Sequence, residues 1–316
     1  CDWSSDVCSS DLTDPVPGAR LLLTDLSAPA LSCGRWLDLS GNGNHAVQEN
    51  ANARPSLVPN GLRGKAVVRF DGTDDVLGLP PFPAPASAAE AWIALRATTG
   101  GGLWQFGDSG GAFHPFTADG LLYDDFASAL RHDAISSPVS PATFHLCRII
   151  SRDGEWAIWI DGVLAHRTTF NTVGIARRPT LGWNGVPGSF FGGDIAEVIV
   201  YDRVLTEAEQ RANLSHFASR FGLPAHPPAP SATFTYATAP KVVFVTWPSS
   251  YAIAPLGTYR IERKMGSGAF VEVGVVSDTT VFKDASVKPG TRYTYRVRAD
   301  NGASMSGYSP QSAVLT

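Results

Sequence analysis

The chain has 316 residues, 44% hydrophobic and 17% charged, with 31 glycines, 23 prolines and a formal net charge of −4. That length fits two domains of roughly 100–200 residues; the apolar share excludes wholesale disorder, and the small negative charge leaves no footprint for nucleic acid or an anionic membrane. No apolar run nears the roughly 18 residues that span a bilayer, and four cysteines (Cys1, Cys8, Cys33, Cys147) without Cys-x-x-Cys spacing are too few for a disulfide scaffold.

The opening, Cys1-Asp-Trp-Ser-Ser-Asp-Val-Cys-Ser-Ser-Asp-Leu12, lacks an initiator methionine, a basic stretch and an apolar stretch, so it does not read as a signal peptide. All twelve residues resemble a translated sequencing adapter, and the native chain is expected to begin near Thr13. A native polar tail, or a lipoprotein starting at Cys1, are the alternatives.

Further along, Asp38, Ser40, Asn42, Asn44 and Glu49 stand at positions 1, 3, 5, 7 and 12 of a twelve-residue stretch with Gly43 at position 6. This spacing follows the oxygen-ligand logic of a calcium loop, with serine at position 3. No helical stripe flanks it, and the same residues also suit a turn in which Asn side chains bond nearby backbone. Asp71, Asp74 and Asp194 are further calcium candidates if their loops lie close.

Short β-prone runs dominate the next stretch. Residues 65–70 run straight into the Asp71-Gly72 turn signal, and 90–95 and 143–151 are further runs. Residues 156–160 and 163–165 flank Asp161-Gly162, a hairpin signature. Trp156 and Trp159 fall on opposite faces of such a strand, so at least one belongs in the core. Residues 194–201 form another strand. Thr206-Glu-Ala-Glu209 is a capping box. Leu214, Phe217, Ala218 and Phe221 then make one apolar stripe, and Gly222 and Pro224 stop the helix expected over about 206–220. Residues 224–230, Pro-Ala-His-Pro-Pro-Ala-Pro, read as a stiff linker. Beyond it the charge changes sign, from −8 over 1–228 to +4 over 229–316.

Three strings taken together resemble laminin G-like, concanavalin A-like jelly-roll modules of bacterial extracellular proteins. They are Trp36-Leu-Asp-Leu-Ser-Gly-Asn-Gly-Asn-His-Ala-Val-Gln48, Asn60-Gly-Leu-Arg-Gly-Lys-Ala-Val-Val-Arg-Phe-Asp-Gly72, and Gly193-Asp-Ile-Ala-Glu-Val-Ile-Val-Tyr-Asp-Arg-Val-Leu-Thr206. The resemblance covers 13–223 and implies an antiparallel two-sheet sandwich with one C-terminal helix. Residues 231–316 resemble a fibronectin type III domain, an immunoglobulin-like sandwich. Trp247 would be its core tryptophan, 258–263 a strand, and Tyr293 the tyrosine whose hydroxyl folds back onto backbone. The expected class is therefore all-β throughout.

Jelly rolls host lectins and glycosidases alike, so the fold does not choose between them. Hydrolysis needs two spaced carboxylates; Asp194 and Glu197 have odd spacing, and Asp124 and Asp125 are adjacent, so both pairs should point apart in a strand. Gly107-Asp-Ser-Gly-Gly111 reproduces the nucleophile stretch of trypsin-like proteases, but without the preceding His segment it reads as a glycine-rich loop. Sugar contact uses exposed aromatic faces with a few polar groups. Trp104, Tyr123 and Trp183, in Gly/Asp/Asn-rich surroundings, are the candidates. The seven histidines form no His-x-x-x-His or His-Glu-x-x-His pattern, so no zinc site is expected. Cys33 and Cys147 could pair only with α-carbons within about 7 Å; two buried thiols are the alternative.

The combined expectation is a monomeric, non-catalytic binding or adhesion protein, secreted or on the cell surface. It would recognise a glycan or a cell-surface protein through the jelly roll, with the fibronectin type III domain as spacer and calcium as the one candidate cofactor. Nucleic acid and membrane insertion are not expected. The alternative is an accessory part of a larger secreted polysaccharide-degrading enzyme.

Overall fold

The computed structural model describes residues 15–24, 32–81, 87–176, 178–223, 229–239, 241–248, 258–277, 279–300 and 305–316. The adapter-like opening and residues 224–228 of the proline-rich linker lie outside these. The first strands are β1 (Leu21–Leu23), β2 (Arg35–Trp36), β3 (Ala46–Val47), β4 (Ser56–Leu62), β5 (Lys65–Asp71), β6 (Leu77–Gly78) and β7 (Ala88–Gly100). Then come β8 (Trp104–Gln105), β9 (Leu122–Asp124), β10 (His132–Ile135), β11 (His145–Arg152), β12 (Glu155–Ile160), β13 (Val163–Thr168), β14 (Thr180–Leu181) and β15 (Gly192–Tyr201). The helix α1 (Glu207–Phe221) follows. Beyond it lie β16 (Phe234–Ala239), β17 (Val242–Thr246), β18 (Thr258–Met265), β19 (Val271–Ser277), β20 (Val281–Asp284), β21 (Arg292–Asp300) and β22 (Ser312–Leu315).

The larger sheet of the first unit runs β13-β12-β11-β7-β15-β5-β4, with β1 added beside the C-terminal half of β15. The smaller sheet runs β2-β3-β6-β14-β8. Alternate residues explain the layering. On β7, Ala89, Ala91, Ile93 and Leu95 face the smaller sheet and join Trp36, Ala46, Leu77, Trp104 and Leu181 in one core. Trp92 and Ala94 face the other way and meet α1. Strand β15, buried at every position, is sandwiched between both layers.

The helix forms for reasons visible in its ends. The Thr206 hydroxyl accepts from the Glu209 N–H, and the Glu209 carboxylate accepts from the Thr206 N–H. Gly222, at φ 66°, takes the left-handed cap conformation and lets its N–H reach the Ala218 carbonyl. Phe217 and Phe221 pack on the sheet, with Phe217 stacked on Trp92 at 6.1 Å. Beneath the helix, buried Glu197 takes a hydrogen bond from Thr24 and ion pairs with His216 and Arg220. The Asp161-Gly162 hairpin adopts positive φ at both residues, 49° and 78°, as a two-residue turn requires.

In the second unit, β16-β17-β20 faces β19-β18-β21-β22. Trp247, Tyr259, Ile261, Tyr293, Tyr295 and Val297 fill the space between them. The Tyr293 hydroxyl accepts from the Lys288 N–H at 3.0 Å, closing the tyrosine corner. The chain is thus all-β: an antiparallel jelly-roll sandwich carrying one helix, then a fibronectin type III-like sandwich.

Candidate functional site

The outer face of the smaller sheet is set by strand alternation. Trp36, Ala46, Leu77, Trp104 and Leu181 point inward, which turns Arg35, Val47, Gly78, Gln105 and Thr180 outward. Two grooves lie on this face. One, about 470 Å³, is lined by Arg35, His45, Val47, Leu79 and Pro80 among others. The other, about 370 Å³, sits at the β14–β8 edge and is lined by Gln105, Gly107, Asp108, Ala176 and Arg178.

The second groove has the chemistry of a polar binding site. The side chains of Gln105, Asp108 and Arg178 form no hydrogen bond with a described residue, leaving a neutral amide, an anion and a cation open to a ligand. Gly107 lets the groove wall pack directly on the Asp125–Ser128 turn: a Cβ there would lie 1.9 Å from the Asp125 carbonyl oxygen. Gln105 packs against Gly185, in the loop that carries Trp183. Trp183 is half-buried and stacks on Phe190 at 6.3 Å. Its indole N–H donates to the Val186 carbonyl at 2.9 Å, so the ring is held in place.

The other expected sugar contacts fare differently. Trp104 is fully buried against Phe106 and Phe126, at 5.2 and 5.7 Å, so it is a core residue and no ligand reaches its face. The reason is alternation: Trp104 and Gln105 are neighbours on β8 and must face opposite ways. Tyr123 is half-buried and is not among the residues lining either groove, with its hydroxyl donating to Asp119 at 2.6 Å and Arg131 5.2 Å over its ring.

The calcium-loop spacing folds as a turn. Asp38 Oδ1 accepts from the N–H groups of Leu22 and Ser40, and Oδ2 from the Ser40 hydroxyl and the Asn44 N–H, at 2.8–3.0 Å. Burial is the largest single effect and pushes the carboxyl up, but the four donors together outweigh it and hold its pKa below the usual value. Asn42 and Asn44 turn their amide N–H groups, not their oxygens, toward the carbonyls of residues 19 and 20. Glu49 is exposed beyond β3. Asp38, Ser40, Asn42, Asn44 and Glu49 therefore do not converge as a ligand cage. Their alternative reading, a turn bonded to backbone, is the one realised.

The acids weighed for hydrolysis are each bonded into the surrounding structure. Asp194 and Glu197 share one face of the larger sheet despite their odd spacing, because a bulge at Ala196 inserts an extra residue between them. Asp194 is clamped by Arg69 and Arg96 at 2.7–3.0 Å, and Glu197 lies under the helix. Asp124 and Asp125 do point apart: Asp124 accepts from the Phe126 N–H, and Asp125 from the Ser109 hydroxyl. Burial pushes Asp125 up to about 6. Ser109 is thus a loop residue bonded to a carboxylate.

Two groups of metal-type donors come together. Asp71, Asp74 and Asp75 are close, but Asp75 accepts from the Asp71 N–H and Asp71 from the Thr73 N–H, as in a closed turn. His114, His145 and Cys147 meet in the core of the first unit. No histidine spacing announced this, although His145 and Cys147 alternate onto one face of β11. Cys33 and Cys147 are both free and buried.

A family model described as the concanavalin A-like lectin/glucanases superfamily matches residues 71–209. No curated protein matches the chain. Among solved structures it is similar to titin kinase and its flanking domains, at 22% identity over 29% of this chain and 17% of that one, TM-score 0.26. It is also similar to an Fn3-like protein from Clostridium thermocellum, at 20% identity over 29% of this chain and 94% of that one, TM-score 0.25. The FN5 domain of Drosophila Lar gives 20% identity over 28% and 96%, TM-score 0.25.

Proposed function

We propose that this chain is a non-catalytic binding protein that takes a hydroxyl-rich glycan in the Gln105–Asp108–Arg178 groove, with the fibronectin type III-like unit as spacer. One observation carries the reading: three side chains of different hydrogen-bonding type converge on one groove with no hydrogen-bond partner among the described residues. An anion, an amide and a guanidinium together can donate to and accept from vicinal hydroxyls, and Trp183 beside them offers an apolar face. Asp108 is the one carboxylate among the residues lining the groove, whereas glycoside hydrolysis needs two. Asp125 is sealed behind Gly107. Secretion or display at a cell surface suits a glycan ligand, as does service beside the catalytic domain of a larger polysaccharide-degrading enzyme; a surface protein presenting the same polar groups is the alternative ligand.

A glycan array followed by calorimetry, with and without calcium, tests the reading. Binding to a defined polysaccharide that falls with Asp108→Ala or Arg178→Ala supports it. No binding to any polysaccharide or cell-wall fraction contradicts it.

A further inference from the structure

We propose that His114, His145 and Cys147 form a buried binding site for a borderline-soft transition-metal ion of the zinc class. The three donor atoms lie within 4.8 Å of one another, and all three residues are buried. Strand β11 supplies His145 and Cys147 from one face, and the loop before β9 supplies His114 from across the core. Two imidazole nitrogens and a sulfur are the donor set of zinc, not of calcium or magnesium, which take oxygen.

The surroundings are those of a metal site. His145 Nδ1 donates to the Thr143 carbonyl at 2.8 Å, which fixes the tautomer and leaves Nε2 as an acceptor facing His114. Cys147 makes no hydrogen bond with a described residue.

Without an ion, the rings meet Nε2 to Nε2 at 2.8 Å, and His114 must donate because His145 cannot. Two nitrogens on one tetrahedral zinc at about 2.05 Å sit about 3.3 Å apart. Loading therefore opens the pair by about half an ångström. Relative to the empty form, the loaded form carries the His114 proton on Nδ1 instead of Nε2 and a metal–sulfur bond in place of the Cys147 S–H, whose proton is lost to water before the core closes around the ion. Three protein donors leave a fourth position open.

The site is closed to solvent, so the ion must be present while the core forms. The full chain is produced in medium supplemented with Zn²⁺ or Co²⁺, and its metal content is measured after desalting. The expected result is one ion per chain, with thiolate-to-cobalt charge-transfer absorption that is lost in Cys147→Ser and kept in Cys33→Ser. X-ray absorption on the wild-type zinc form needs no variant, and should show one sulfur and two imidazole nitrogens. No retained ion, a shell of oxygen alone, or an unchanged cobalt band in Cys147→Ser overturns the proposal.

Discussion

Asp38 accepts four hydrogen bonds within its own turn and from β1, three of them from backbone N–H groups that have no other acceptor among the described residues. Asp38→Ala should therefore cost about 2 kcal/mol or more in denaturant unfolding, by the same amount in calcium and in chelator. A wild-type midpoint raised by calcium, with the variant insensitive to it, would restore the ligand reading. Asp125 makes a second test. Its carboxyl keeps a proton to about pH 6 when folded, against about 4 when unfolded. This carboxyl then binds more protons when folded in that window, so its own contribution to stability falls as pH rises from about 4 to 6 and levels off above. Asp125→Asn should flatten this fall, by up to about 3 kcal/mol, and chemical unfolding across that range would show it. Trp104 is the plainest lesson at this scale. Its glycine-rich setting suggested a rim, but strand parity decides burial, and parity cannot be assigned to a two-residue strand without its partner.

The elements that were readable beforehand are the ones with long, regular signals. Strands β5, β7, β11, β12 and β15 and the helix each carry a run, a turn dipeptide or a cap that acts over a few residues. Thr206→Ala should cost about 1 kcal/mol, because one N–H of the first turn loses its acceptor. Thermal unfolding measures this, and an unchanged midpoint would remove the capping box from the helix's stability. The smaller sheet was not readable, since β2, β3, β6, β8 and β14 are two residues each and exist through their neighbours. The Ala196 bulge was equally hidden. Odd spacing put Asp194 and Glu197 on opposite faces, and one inserted residue returns them to the same face. Gln105 and Arg178 stand far apart in sequence with no shared pattern, so only the β14–β8 pairing brings them to one groove.

At the scale of the whole molecule, the two units divide the work. The core of the second unit is built from its own strands with Val163 of β13 packed into it, and Tyr293→Phe should weaken it by about 1 kcal/mol by stranding the Lys288 N–H, without touching ligand binding. A loss of binding in that variant would end the view of this unit as a spacer. The first unit carries both the open groove and the closed His114–His145–Cys147 cluster, one suited to exchange with solvent and the other only to permanence. The most direct measurement is titration calorimetry of the full chain against the polysaccharide selected on the array, repeated with Asp108→Ala, Arg178→Ala and Gln105→Ala. The expected result is a drop in affinity of about 10-fold or more for either charged residue, as hydrogen bonds to charged groups imply, with unfolding midpoints unchanged. Equal affinity in all three variants would contradict the groove as the binding site.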